Sequence, residues 1–314
     1  MAERKKVAYV FPGQGSQKAG MGLDLYENSA AARAIFDQAD RVLGIPLSRL
    51  CFEGPDEELR QTINAQPALV TASFACLEAV REAGDNILPP PAFVAGHSLG
   101  EYTALAAAGV FGFTTALHLA RERGRLMYEV ELERPGSMAA IIGLEERDLA
   151  EICRQTGTSI ANINCPGQIV ISGEVDNINQ AVELAREKGA QRALPLQVSG
   201  AFHTALMQPA YEGMSRIIPE MNFQDPSIPV IANTTAQPLA SAASVKQELL
   251  DQLCNCVQWQ RSVEYMIAHS ADTFIEIGPG KVLTGLIRRI NRDVATVNIG
   301  DLASINTFIE PRNS

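Results

Sequence analysis

The chain predicts an α/β fold: a large body built on a parallel sheet with a nucleophile elbow, interrupted by a small inserted domain of βαββαβ order. Three stretches predict it. The apolar run V-A-Y-V-F (7–11) leads directly into P-G-Q-G-S-Q (12–17), and a Gly-rich loop behind a strand usually sits at the carboxyl edge of a parallel sheet. A second apolar run (92–95) enters G-H-S-L-G (96–100) and then an Ala-rich helix through 104–108, the strand, turn and helix of a G-x-S-x-G elbow. From 138 to 198 the pattern runs strand, helix, strand, strand, helix, strand, which is a complete ferredoxin-like split unit.

The loop at 12–17 is explained equally well by a bound ligand or by a bare tight turn. Neither G-K-[ST] nor G-x-G-x-x-G follows, so it is not a phosphate loop or a dinucleotide fingerprint. Helical spacing predicts helices over 30–43 and 67–83, the second opening at Pro67 and closing at Gly84. Pro89, Pro90 and Pro91 force an extended lead into the elbow strand. A long helix over 113–133 has Thr114 as its cap and carries Arg121, Arg123 and Arg125; Gly124 inside it marks close packing or a nearby ligand.

Pro135-Gly136 breaks the chain, and strands at 138–142, 159–163, 169–172 and 192–198 with helices at 146–155 and 177–188 fill the insertion. The small domain is placed at 131–200, and the large one is discontinuous, 1–130 and 201–314. A strand at 228–233, helices at 244–254 and 261–269, a strand at 273–277, G-P-G-K (278–281) and an amphipathic helix over 282–291 complete it, with a mobile polar tail from Asn306.

Composition narrows the function. With 26 Lys and Arg against 36 Asp and Glu the net charge is −10, which argues against general nucleic-acid binding. Six cysteines form no C-x-x-C pair, as expected of inert thiols in a reducing, cytoplasmic setting. The charged start runs into a strand broken at Pro12-Gly13, so neither a signal peptide nor a membrane span is expected.

Ser98 sits at the elbow, where its Oγ is exposed over the sheet edge and the following helix supplies N–H donors and the positive end of its dipole. Its base must come from four histidines. His97 points away from its neighbour, His118 lies mid-helix, and His269 ends a helix as a cap. His203, just past a strand at the junction of the two domains, has the placement a general base requires.

The motifs F-P-G-Q-G-S-Q (11–17), Q-P-A-L (66–69), G-H-S-L-G-E (96–101), R-G-R-L-M (123–127), N-C-P-G-Q (164–168), G-A-F-H-T (200–204), V-Q-W (257–259) and E-I-G-P-G-K-V-L (276–283) together resemble the malonyl-CoA:acyl carrier protein transacylases of fatty-acid synthesis, in the same order along nearly the whole chain. The resemblance implies a hydrolase-like core with a ferredoxin-like subdomain. It implies Ser98 as the nucleophile that becomes malonyl-serine and His203 as its base. It implies an oxyanion hole from the backbone N–H groups of Gln14 and Leu99, and Arg123 as the partner of the malonyl carboxylate. Gln258 matches the glutamine whose backbone carbonyl steadies the histidine, and Asn164 and Gln168 match cleft residues of the smaller domain. Without the resemblance Arg123 reads as a surface residue; a solvated face is expected for Arg121 and Arg125. No acidic residue adjoins His203, in keeping with a dyad.

The implied reaction is ping-pong malonyl transfer from malonyl-CoA to the phosphopantetheine thiol of holo acyl carrier protein. Both are substrates, no cofactor or metal is required, and a monomer is expected. The alternatives are a serine thioesterase or esterase, an acyltransferase serving a polyketide synthase, and a non-catalytic carrier-binding module. The absence of an H-G-G-G loop and the presence of nucleophile, base and hole-forming loops disfavour the esterase and the module.

Overall fold

The run at 7–11 loses solvent contact from Ala8 onward because it lies in the middle of the larger of two sheets. A computed structural model of the chain describes residues 6–84, 87–198 and 200–309. Among these residues ten strands occur: β1 (Lys6–Phe11), β2 (Phe93–Gly96), β3 (Gly136–Ile142), β4 (Ser159–Cys165), β5 (Gln168–Glu174), β6 (Arg192–Pro195), β7 (Val230–Ile231), β8 (Pro238–Leu239), β9 (Ala271–Ile277) and β10 (Ala295–Ile299).

The larger sheet has the order β10-β9-β1-β2-β7-β8, parallel as far as β7 with β8 antiparallel on the edge. Its inner strands are covered on both faces, which explains their unbroken apolar runs. Val10 pairs with Ala95 and Phe11 with Gly96, so the Gly-rich loop and the elbow leave the sheet side by side. The smaller sheet, β4-β5-β3-β6, is wholly antiparallel.

Strand alternation divides the small sheet's two faces. Ala139, Ile141, Ile169 and Ile171 pack under the helices Glu146–Thr156 and Val175–Glu187. Met138, Ala140, Ala161 and Val170 join the core of the large body instead. The edge strand β4 is also stitched to the segment after the helix Ala242–Cys254: Ile163 N–H donates to Val257 O at 2.9 Å, and Val257 N–H to Ala161 O at 2.8 Å.

Several local expectations need correction. The helix predicted at 67–83 runs Thr62–Glu82, with Pro67 inside it. Proline lacks the N–H that would bond Ile63 O, four residues back, and that carbonyl accepts from Arg121 Nη1 at 2.8 Å instead. Arg121 is therefore half-buried and engaged, not on a solvated face. The long helix spans Phe113–Glu133, but its N-cap is Gly112; the Thr114 hydroxyl accepts from Gln38 Nε2. At Gly124 a Cβ would stand 2.8 Å from Thr62 O, so the glycine serves close helix packing.

The strand expected through 198 ends at Pro195, which has no N–H to donate. The 228–233 strand shrinks to Val230–Ile231 because the chain turns back at once, Ala236 N–H closing on Ala232 O. A helix at Gln208–Ile217 and the edge strand β10 were not anticipated. Neither was the helix Leu302–Ile309, which takes in Asn306; the rest of the tail, 310–314, lies outside the described residues. Among the described residues no helix is long and apolar enough to cross a membrane.

Candidate active site

Ser98 has φ +49, a left-handed conformation that costs a non-glycine residue energy and is held only by its surroundings. Its N–H donates to Asn233 Oδ1 at 2.7 Å, and its carbonyl accepts from Gln252 Nε2 at 2.9 Å. The flanking glycines are steric requirements. A Cβ on Gly96 would lie 1.9 Å from the carbonyl carbon of Gly100, and one on Gly100 would lie 2.1 Å from Phe11 O. Gly13 is equally constrained, since its Cβ would meet His97 O at 2.2 Å. The Gly-rich loop and the elbow thus touch backbone to backbone.

His203 approaches from the opposite side, itself at φ +59. Its Nε2 is 2.8 Å from Ser98 Oγ, and its Nδ1 is 2.7 Å from the carbonyl of Gln252. A carbonyl only accepts, so the proton is on Nδ1 and Nε2 presents its lone pair to the serine. The sequence-based assignment of this carbonyl to Gln258 is wrong. Gln258 O is occupied by Ser262 N–H at 2.9 Å, as the first bond of the helix Trp259–Ala268, and its side chain is engaged by Arg261. Gln252 lies in the last turn of the helix Ala242–Cys254, where carbonyls lack intrahelical partners.

Arg123 reaches the same point from the helix Phe113–Glu133 and is 1% exposed. Its Nη2 donates to Ser98 Oγ at 3.2 Å and to Gln252 Oε1 at 2.8 Å, its Nη1 donates to Gln66 Oε1 at 2.7 Å, and its Nε has no partner among the described residues. Its guanidinium carbon stands 5.6 Å from the Tyr102 ring centroid. Burial and then the Arg123 charge push the His203 imidazole from its ordinary 6.5 down to about 3, which leaves it neutral at physiological pH.

Behind the elbow lies a polar network that sequence reasoning missed. Glu101, fully buried, accepts from Asn233 N–H at 2.9 Å, from Asn233 Nδ2 at 2.8 Å and from Gln252 Nε2 at 2.5 Å. Burial, then the nearby Glu248 carboxylate, raises its pKa against those three donors. Asn233 also holds Gly96 O at 2.8 Å. Gln252 alone therefore touches Ser98, His203, Arg123 and Glu101. The one sequence signal was Glu101, which closes the G-H-S-L-G-E motif.

Ser98, His203 and Arg123 open into a cleft of ≈ 400 Å3 between the sheets, whose second wall includes Met138, Asn164 and Gln168. Asn164 Oδ1 is 2.9 Å from His97 Nε2, and Gln168 Oε1 accepts from Arg289 Nη1 at 2.6 Å. Gln14 also lines the cleft, and Leu99 directly follows the serine. Their backbone N–H groups have no acceptor among the described residues. The E-I-G-P-G-K-V-L motif has a supporting role, since the Glu276 carboxylate caps the helix Val282–Ile290 through Leu283 and Thr284 N–H.

A second hollow of ≈ 370 Å3, with Tyr9, Arg81 and Leu88 in its wall, is lined by no serine, cysteine or histidine among the described residues. Among the described residues no three His, Cys, Asp or Glu side chains are grouped to hold a metal. The arrangement in the cleft can bind a carboxylate, remove a proton from a serine and transfer an acyl group.

Comparison with known proteins points the same way. The family model described as "Acyl transferase domain" matches residues 8–305. The malonyl CoA-acyl carrier protein transacylase of Bacillus subtilis (strain 168) is 46% identical over 310 residues, 97% of this chain and 96% of its own. Among solved structures, the acyl-carrier-protein-S-malonyltransferase of Bartonella henselae superposes with a TM-score of 0.92 at 44% identity, covering 96% of this chain and 98% of its own. A malonyl-transacylase in complex with a type II PKS acyl-carrier protein superposes with a TM-score of 0.93 at 40% identity, over 98% and 99%.

Proposed function

The chain belongs to the acyl transferase family, and from that premise we propose that it moves a malonyl group from malonyl-CoA to the phosphopantetheine thiol of holo acyl carrier protein. The observation that carries this reading is the convergence on one oxygen: Ser98 Oγ lies 2.8 Å from an imidazole lone pair and 3.2 Å from a buried guanidinium.

In the first half-reaction His203 Nε2 takes the Ser98 proton as Oγ attacks the thioester carbonyl. The oxyanion of the tetrahedral intermediate is received by the N–H groups of Gln14 and Leu99; a donor of this kind contributes roughly 10²–10³ in rate. The intermediate collapses to malonyl-Ser98, the carbon–sulfur bond breaks, and the leaving thiolate takes the proton back from Nε2. The carrier's thiol then enters and the steps run in reverse. The substrate carboxylate pairs with Arg123, where a bidentate charge-assisted contact distinguishes malonyl from acetyl. That pairing offsets the charge depressing His203, so a bound malonyl group strengthens its own base.

The same reading takes the large sheet as a hydrolase-like core and the β4-β5-β3-β6 sheet as a ferredoxin-like insertion spanning 131–200 between 1–130 and 201–314; the βαββαβ chain order supports it. It assigns Asn164 and Gln168 to the cleft wall. It requires no cofactor or metal, and it places a monomer in the cytoplasm, with which six free thiols agree.

Intact-mass measurement after mixing with malonyl-CoA tests it. The wild type is expected to gain one malonyl group, Ser98→Ala none, and the adduct should discharge onto holo carrier protein and only slowly into water. Rapid discharge into water without carrier would instead identify a thioesterase.

A further inference from the structure

The Q-P-A-L motif supplies none of the reacting groups, yet its Gln66 is 0% exposed and faces a buried guanidinium. An arginine with 1% exposure is normally neutralised by a carboxylate, because an isolated buried charge is strongly disfavoured. Among the described residues Arg123 has none in contact. Its acceptors are two neutral carboxamides, Gln66 Oε1 at 2.7 Å and Gln252 Oε1 at 2.8 Å, and the Ser98 hydroxyl. Glu101, the acid of this network, is hydrogen-bonded to the guanidinium only through Gln252 and otherwise acts on its charge from a distance.

The orientation of Gln66 is set by the groups around it. Its Nε2 donates to Thr62 Oγ1 at 2.8 Å and to Met127 Sδ at 3.3 Å, and Thr62 Oγ1 in turn donates to Gln14 Oε1 at 3.0 Å. A directed chain therefore runs from the guanidinium through Gln66 and Thr62 to the side chain of the Gly-rich loop. The chain holds Gln66 with its oxygen, and only its oxygen, towards Arg123.

We propose that Gln66 is a specificity-determining positioning residue: it aims Arg123 into the acyl pocket through a neutral acceptor, so that no carboxylate contacts the positive charge until an acyl thioester with a terminal carboxylate arrives. This rests on the malonyl-transfer reading. A carboxylate at position 66 has nearly the same shape and would satisfy the same N–H, but it would also neutralise the arginine. The protein would then supply internally what the substrate should bring.

The test is the ratio of Ser98 acylation rates, malonyl-CoA over acetyl-CoA, at subsaturating thioester, in the wild type, Gln66→Glu and Gln66→Met, with Tm measured for each. In Gln66→Glu the ratio is expected to fall by about 100-fold, through the malonyl rate and not the acetyl rate. Gln66→Met, which has similar length and no acceptor oxygen, should lower the ratio by about 10-fold and decides the matter if Gln66→Glu does not fold. An unchanged ratio, or parallel loss with both thioesters in a folded variant, overturns the proposal while malonyl transfer by the wild type stands. A wild type that never acquires malonyl overturns both.

Discussion

At position 203 a buried imidazole sits between a carbonyl that fixes its proton and a hydroxyl that must lose one. Its pKa, pushed down to about 3, has two consequences. The first is kinetic: the acid limb of kcat/KM for malonyl loading, which reports the free enzyme, should lie well below the ordinary histidine value of 6.5. A pH profile whose acid limb falls at 6.5 or above would show that the histidine is not held neutral as described. The second is thermodynamic. Below about 6.5 the unfolded chain binds a proton that native His203 refuses, so stability should be lost as pH falls from about 6.5 towards 3 and be unaffected by this group above that window. Burial lowers His97 as well, in the same direction. Tm measured across the acid range reports this loss directly.

At the scale of elements, the elbow works because three backbones meet without side chains between them. Gly100→Ala would drive a methyl to within 2.1 Å of Phe11 O, backbone atoms that cannot rotate away. The expected loss is about 3 kcal/mol or more, with Ser98 displaced even if the chain folds. Gly285 makes the contrast. It lies in the helix Val282–Ile290, exposed, with nothing within 4 Å of a built Cβ. Gly285→Ala should stabilise the protein by about 0.5–1 kcal/mol, since alanine restricts the unfolded chain and favours helix. Urea midpoints of the two variants check both signs. The Pro67 helix obeys the same physics: it continues past a missing N–H, and Arg121, far away in sequence, takes the orphaned carbonyl.

At the scale of the whole molecule, the small sheet shares one face with the large body's core, and β4 is bonded to the segment at 255–257. The two sheets should therefore unfold together. Trp259, the sole tryptophan, lies 5.6 Å from His97 at this junction, so its fluorescence follows the cleft while far-UV dichroism follows all helices and strands. The two probes are expected to give coincident urea transitions; a separate early fluorescence change would show a small sheet that detaches by itself.

The sequence alone determined those features whose causes are local. Apolar periodicity marked the helices over 30–43 and 113–133, and glycine spacing marked the elbow, because a strand turning directly into a helix permits no other residue there. Ordered motifs pointed to the transacylase family. Only the tertiary structure decided which polar side chains are buried. Gln66, Glu101, Asn233 and Gln252 sit on segments that read as ordinary helix, strand or loop, and the wrong glutamine was assigned to His203 six residues downstream of the right one. Whether a carboxamide faces water or a buried charge depends on chain up to 154 residues away, and no period or local motif encodes that distance.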